Sequence, residues 1–188
     1  MRSTRRAGVL AALALLGVLA GCSGGPAEPD QAAPDQAGPS VGYRDETNGF
    51  GIDPPQGWRI GAGPEQAAVT FLLPAPDTSA GPPVTVTMNV VTAATEDDLA
   101  TTVTQTRQQL PALAPGYHPV VDEAVTLPSG LPGHLFGSTF TQQITMRNLQ
   151  LVVVVPGKIY VVTATTPDAS FPRHEPVIRK SMMSLVLL

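Results

Sequence analysis
Leu151-Val152-Val153-Val154-Val155-Pro156-Gly157-Lys158-Ile159-Tyr160-Val161-Val162-Thr163 is the stretch on which the fold turns. An apolar run from Leu151 to Val155 has no polar side to turn to water, so a strand built from it must be covered on both faces. Pro156-Gly157 then sets a tight turn, proline fixing φ at the first central position and glycine accepting φ > 0 at the second. Lys158 to Thr166 returns antiparallel. This hairpin is expected to be the buried centre of a sheet.

Outward from it, alternating or apolar runs mark further strands. Arg147 leads into the hairpin, His134 to Thr141 and His118 to Leu127 precede it, and Pro128-Ser129-Gly130 separates those two. Val84 to Val91 reads Val-Thr-Val-Thr-Met-Asn-Val-Val, the alternation of a half-buried strand. Ala67 to Leu73, Phe50 to Ile52 and a short segment opening at Tyr43 complete the set, with Pro54-Pro55 breaking the pairing. Two helices are expected. One starts near Glu96, with Thr95 as N-cap answered by Asp98. It carries Leu99, Val103, Thr106 and Leu110 on one face and is stopped by Pro111. The other lies at the C-terminus, regular from about Arg173 because Pro172 and Pro176 disturb a helix interior, with Ile178, Met182 and Leu185 on one face. The pattern predicts an α+β domain over residues 41–188: a central antiparallel sheet of five to seven strands with helices packed on it. Its expected core includes Phe50, Val86, Leu99, Val103, Phe136, Val153, Val161, Ile178 and Leu185.

The amino terminus has a different character. Arg2, Arg5 and Arg6 precede the uncharged run Ala7 to Ala20. That run is shorter than the roughly 20 apolar residues a spanning helix needs, and a basic head with a short apolar middle makes a signal peptide over residues 1–21. Leu19-Ala20-Gly21-Cys22 resembles the bacterial lipobox. The resemblance implies cleavage before Cys22 and a diacylglyceryl thioether on its thiol, so membrane lipid is an expected partner and the outer, extracytoplasmic face of the membrane the expected place. Cys22 is the only cysteine and has no intrachain disulfide partner. A plain secretory signal with a chance cysteine is the alternative. Arg5-Arg6 also begins a twin-arginine pattern, which Ala7-Gly8-Val9 does not complete. Residues 22–40 form a linker: Pro26, Pro29, Pro34 and Pro39 stand among Gly, Ala, Asp and Gln, too little apolar surface to offset ordering entropy.

Eleven basic residues face fifteen acidic ones, and three of the basic ones leave with the signal. The resulting acidic chain argues against nucleic acid as a partner, because such binding rests on clustered Lys and Arg. No Gly-x-Ser-x-Gly elbow, His-x-x-x-His, cysteine pair or glycine-rich phosphate loop occurs, so no catalytic, metal or cofactor-binding residue is assigned. His118, His134 and His174 lie at loop edges, where solvation is expected. His with Asp122 or Glu123 is the dyad that could be imagined. Asp122 and Glu123 themselves cannot pair as acid and base, since adjacent strand residues face opposite sides. Glu96, Asp97 and Asp98 read as a solvated helix start rather than an ion site, and Trp58 as a partly buried core residue rather than a stacking platform.

Several of these residues resemble a known family. Gly49-Phe50-Gly51-Ile52 with Pro55-Gln56-Gly57-Trp58, then Gly130-Leu131-Pro132-Gly133-His134, then Pro156 to Thr163 with Phe171, Ile178 and Ser181 to Leu185 resemble the PsbP-like fold. Within it the chain looks most similar to the actinobacterial LpqN and LpqT lipoproteins, from about Tyr43 to Leu188. The resemblance implies an α/β/α sandwich and a role as a non-enzymatic accessory or protein-binding module, with a protein partner in the envelope or outside the cell. The alternatives are a carrier of an apolar small molecule or lipid, and, third, an enzyme built where a histidine meets a carboxylate and a hydroxyl. By composition the linker buries little, so deleting residues 23–40 is expected to leave the domain's melting temperature within about one degree of the full chain's in a thermal scan.

Overall fold
The computed structural model describes residues 41–81 and 83–188. The expected signal peptide, the expected lipidation at Cys22 and the expected linker over residues 22–40 lie outside the described residues. The chain order is β1 (Tyr43–Asp45), β2 (Phe50–Ile52), β3 (Arg59–Ile60), β4 (Ala67–Leu72), β5 (Thr87–Ala94), α1 (Leu99–Leu113), β6 (His118–Thr126), β7 (Pro132–Thr141), β8 (Thr145–Val155), β9 (Lys158–Pro167), α2 (Phe171–Met183) and β10 (Val186–Leu187).

β8 and β9 pair in register from Val155↔Lys158 at the turn to Met146↔Pro167, and Gly157 takes the positive φ, +81°, that the turn requires. They lie inside a seven-stranded antiparallel sheet of order β3-β4-β5-β9-β8-β7-β6. The apolar run is covered on both sides, as its composition demands. Val152 and Val161 face α1 with Val103, Leu110, Phe136 and Ile159. Leu151, Val153 and Val162 face α2 in a larger cluster with Phe171, Ile178, Met182 and Leu185. The domain is thus an α+β sandwich with one helix on each face of the sheet.

A second sheet, β1-β2-β10, was not expected. The C-terminal tail returns to pair Val186 with Gly51 and Leu187 with Phe50. A two-residue strand carries no periodic signal; the pairing depends on α2 delivering the tail there. It also accounts for Gly51, where an added Cβ would lie 2.4 Å from Val41 and 3.2 Å from Val186 side-chain carbons. β3, Arg59–Ile60, is equally short and carries no periodic signal either.

Four expectations change at the element ends. The N-cap of α1 is Asp98, whose Oδ1 accepts from the Thr101 amide at 2.7 Å. Thr95 is held instead by its own amide donating to the Gly157 carbonyl, 3.2 Å, at the hairpin tip, so the acidic trio precedes the helix. Pro111 does not stop α1, which runs on to Leu113; the single amide hydrogen bond it forfeits falls in the last turn, where the helix is ending anyway. Pro172 occupies the first turn of α2, where its missing N–H has no intrahelical partner to lose. The strand expected from Val84 begins at Thr87, because Val84 is bridged to Asp77. Of the expected core, Leu99 is only half-buried, whereas Phe50, Val86, Val103, Phe136, Val153, Val161, Ile178 and Leu185 are buried.

The free edges of the large sheet are β3 and β6. β6 spans nine residues and carries Pro119, a register shift between Pro119 and Val121, and the charges of Asp122 and Glu123, features that discourage pairing of an open edge with another chain. Because Leu151 is fully buried in the central strand, Leu151→Ala is expected to cost about 2–5 kcal/mol, read as a lower urea midpoint at unchanged slope.

Candidate functional site
Two histidine–carboxylate centres stand out, and both correct the expectation of solvated histidines. His118 is exposed as expected, but His134 and His174 are each only 7 % exposed. His134 is not at a loop edge, since β7 already begins at Pro132 and points the ring at the α1 side. There it packs on Phe136, ring centroids 4.6 Å apart, and its Nε2 meets Asp122 Oδ1 at 2.5 Å.

Asp122 and Glu123 point to opposite faces of β6, as strand geometry requires, and each is used by the helix on its side. Arg107 of α1 grips both oxygens of Asp122, at 2.7 Å each. Arg179 of α2 reaches Glu123 at 3.2 Å and Glu175 at 2.7 Å. The Arg107 guanidinium, with His134 beyond it, pushes the Asp122 carboxyl down to about 2. The edge strand is thereby fastened to both helices. The imagined dyad of a histidine with Asp122 does form, but the arginine occupies the carboxylate on its other side.

The second centre was not foreseen. Asp77 lies in the loop between β4 and β5, its side chain 1 % exposed. Its Oδ1 accepts from the Ser79 amide at 2.8 Å and the Ser79 hydroxyl at 2.6 Å. Its Oδ2 faces Arg173 Nη2 at 2.9 Å and His174 Nε2 at 3.2 Å, both at the start of α2. Trp58 closes over the imidazole edge-on, which places it where the sequence reading put it, half-buried against the core. Burial works to raise the Asp77 carboxyl, but the hydrogen bonds from Ser79 and His174 outweigh it and hold the group far below the usual carboxylate range. No sequence signal points to this centre, because Asp77 sits among Pro, Ala, Thr and Ser and its partners on α2, Arg173 and His174, lie nearly a hundred residues away.

The chemistry of this second centre follows from its order. A nucleophilic hydroxyl must donate to the histidine that takes its proton. Here Ser79 donates to the carboxylate, and the carboxylate lies between hydroxyl and imidazole. The arrangement ties the loop between β4 and β5 to α2. Among the described residues no three His, Cys, Asp or Glu side chains gather around one point. A groove of about 180 Å³ runs beside α2, lined by Asp53, Pro54, Gln56, Val177, Lys180 and Ser181, below the roughly 300–1,000 Å³ of a small-molecule pocket. No helix among the described residues is long and apolar enough to cross a membrane.

The Asp77 centre has a stability signature. A carboxyl whose folded pKa is depressed stabilises the fold fully above its unfolded value, about 3.9, and that contribution is lost as pH falls toward the folded value. Asp77→Ala is expected to cost at least about 2 kcal/mol at pH 7. It should also flatten the fall in stability between pH 5 and pH 2, both measured by urea denaturation across pH.

No family model matches the chain, and no curated protein matches it in sequence. Its likenesses are to solved structures. LpqN of Mycobacterium tuberculosis, described as involved in cell envelope biogenesis, is 16 % identical with a TM-score of 0.58, over 80 % of this chain and 89 % of that one. A Pseudomonas aeruginosa protein of unknown function, described as a putative regulator, is 19 % identical with a TM-score of 0.56, over 70 % and 97 %. The cyanobacterial PsbP of Synechocystis sp. PCC 6803 is 13 % identical with a TM-score of 0.53, over 78 % and 91 %. At these identities the likeness is one of fold, and residues 41–188 have the PsbP-like fold.

Proposed function
We propose that this chain is exported, lipidated on Cys22 and held on the outer face of a membrane, where its domain acts as a non-enzymatic accessory module that binds another protein. The observation that carries the reading is the joining of a lipobox-like Leu19-Ala20-Gly21-Cys22 to a fold shared with LpqN. If the eighteen residues 23–40 behave as the coil their composition implies, an acidic domain would sample a sphere roughly 20–25 Å in radius about its anchor, a reach suited to finding a membrane-bound or secreted partner. Each buried histidine has a carboxylate as its partner, His134 the Asp122 of the neighbouring strand and His174 the Asp77 of the loop between β4 and β5, rather than the hydroxyl that acyl-transfer chemistry would ask of it.

The carrier of an apolar molecule is the second reading, and the groove beside α2 is what it would use. Its volume of about 180 Å³ and mixed lining suit it less well than a partner's side chain.

The test is photo-crosslinking of the full chain in its own cells, beside a Cys22→Ser form. We expect the unmodified chain in the membrane fraction with one envelope or secreted protein captured reproducibly. Cys22→Ser should move to the soluble fraction and lose that capture. Unchanged membrane association of Cys22→Ser would sink the anchor. Turnover of a cell-wall or lipid substrate by the purified protein, with no partner captured, would replace the accessory role by an enzymatic one. Co-purified lipid would favour the carrier.

A further inference from the structure
The two faces of the sheet are covered unequally. On the α2 side one continuous cluster joins eighteen buried apolar residues among those described, reaching from the small sheet through the strands to Ile178 and Met182. On the α1 side the apolar contact is split into a cluster of six around Val103 and Leu110 and a cluster of three, Ala114, Phe140 and Met146. Strand register places polar rows of this face between the two: Phe136↔Gln150 and Gln150↔Thr163, then Ser138↔Asn148 and Asn148↔Thr165. Ser138, Asn148 and Gln150 are all buried, and so are Thr102 and Thr106 on the inner face of α1.

This polar strip is incompletely satisfied. Ser138 donates to Asn148 Oδ1 at 2.7 Å, and Gln150 Nε2 reaches Thr163 Oγ1 at 3.3 Å. Gln150 Oε1 is buried and has no hydrogen-bond partner among the described residues. A buried acceptor left without a donor destabilises the closed arrangement, and it regains a donor as soon as water reaches it. The side-chain pin between α1 and the sheet is the bidentate Arg107–Asp122 pair, half-exposed at both partners, and it has to part for the helix to lift. Just outside the helix the chain is fixed to the sheet at both ends, the Thr95 amide donating to the Gly157 carbonyl and the Thr141 amide to the Pro115 carbonyl, so a lifting helix turns about these two points, with Gly116 at φ +67° beside the second.

We propose that α1 is a detachable cover, which lifts from the sheet as a unit while α2, the hairpin and the small sheet stay folded, and so bares the strip of Ser138, Asn148, Gln150 and Thr163. This concerns the motion of the domain and does not depend on what the domain binds.

Native-state hydrogen exchange on the full chain tests it. Buried amides of α1 should exchange together, faster and with a weaker denaturant dependence than those of α2, which marks a partial opening rather than global unfolding. Gln150→Met, of similar volume and without the orphan oxygen, should slow α1 exchange by roughly five- to a hundredfold and leave α2 unchanged relative to global stability. Val103→Ala, which trims the helix's own apolar contact, should speed α1 alone. Equal protection and equal denaturant dependence of α1 and α2 in the unmodified chain would overturn the proposal without any variant. Failure of a folded Gln150→Met form to slow α1 would overturn the part assigned to the orphan oxygen.

Discussion
Burial of the β8–β9 hairpin on both faces is the constraint on which the rest of the structure depends. Leu151 and Val153 face one way, Val152 and Val161 the other, and all are out of water. A sheet with such a centre needs a layer on each side, and two helices supply them. The positions of the remaining strands follow outward, β5 and β4 beside β9, β7 and β6 beside β8. Strands lose burial toward the edge, until β6 is exposed or half-exposed along its whole length.

The two layers are not equivalent, and chemistry more than geometry separates them. The α2 side is sealed by large apolar side chains, with Phe50, Phe71, Ile178 and Met182 fully buried, and the C-terminal strand knits that side to the small sheet. The α1 side carries Asn, Gln, Ser and Thr in its middle, where hydrogen bonds must be complete before burial stops being costly. A fold that keeps one firm face and one weakly held face has a built-in place for motion, and natural domains draw their moving elements from the least stable parts.

Charged groups do structural work at the boundary between these layers. Asp122 and Glu123 clip the edge strand to a different helix each, and Asp77 ties a loop of small residues to the start of α2. Such pairs look like catalytic fragments when residue types alone are considered. The order of contacts decides otherwise at Asp77, because the hydroxyl and the imidazole are on opposite sides of the same carboxylate. At Asp77 these charges tie a loop to a helix, and the likeness to the structural neighbours is one of fold.

The sequence by itself determined the class of fold, the central hairpin, most of the strand set and both helices, because these depend on local periodicity: apolar runs, alternation, turn residues and helical spacing are all read within a dozen positions. It also determined the opposition of Asp122 and Glu123, a property of any strand. Only the tertiary structure decided the second sheet, since β10 is two residues long and exists because α2 brings the tail back to Gly51. It decided the true cap of α1, where the hairpin tip takes Thr95 out of competition and leaves Asp98. It decided the burial of His134 and His174 and the partners of Asp77, and the orphan oxygen of Gln150 in a strand that reads as ordinary. Each of these depends on residues distant in sequence meeting across packed layers, and no local pattern records which distant groups will share the space between them.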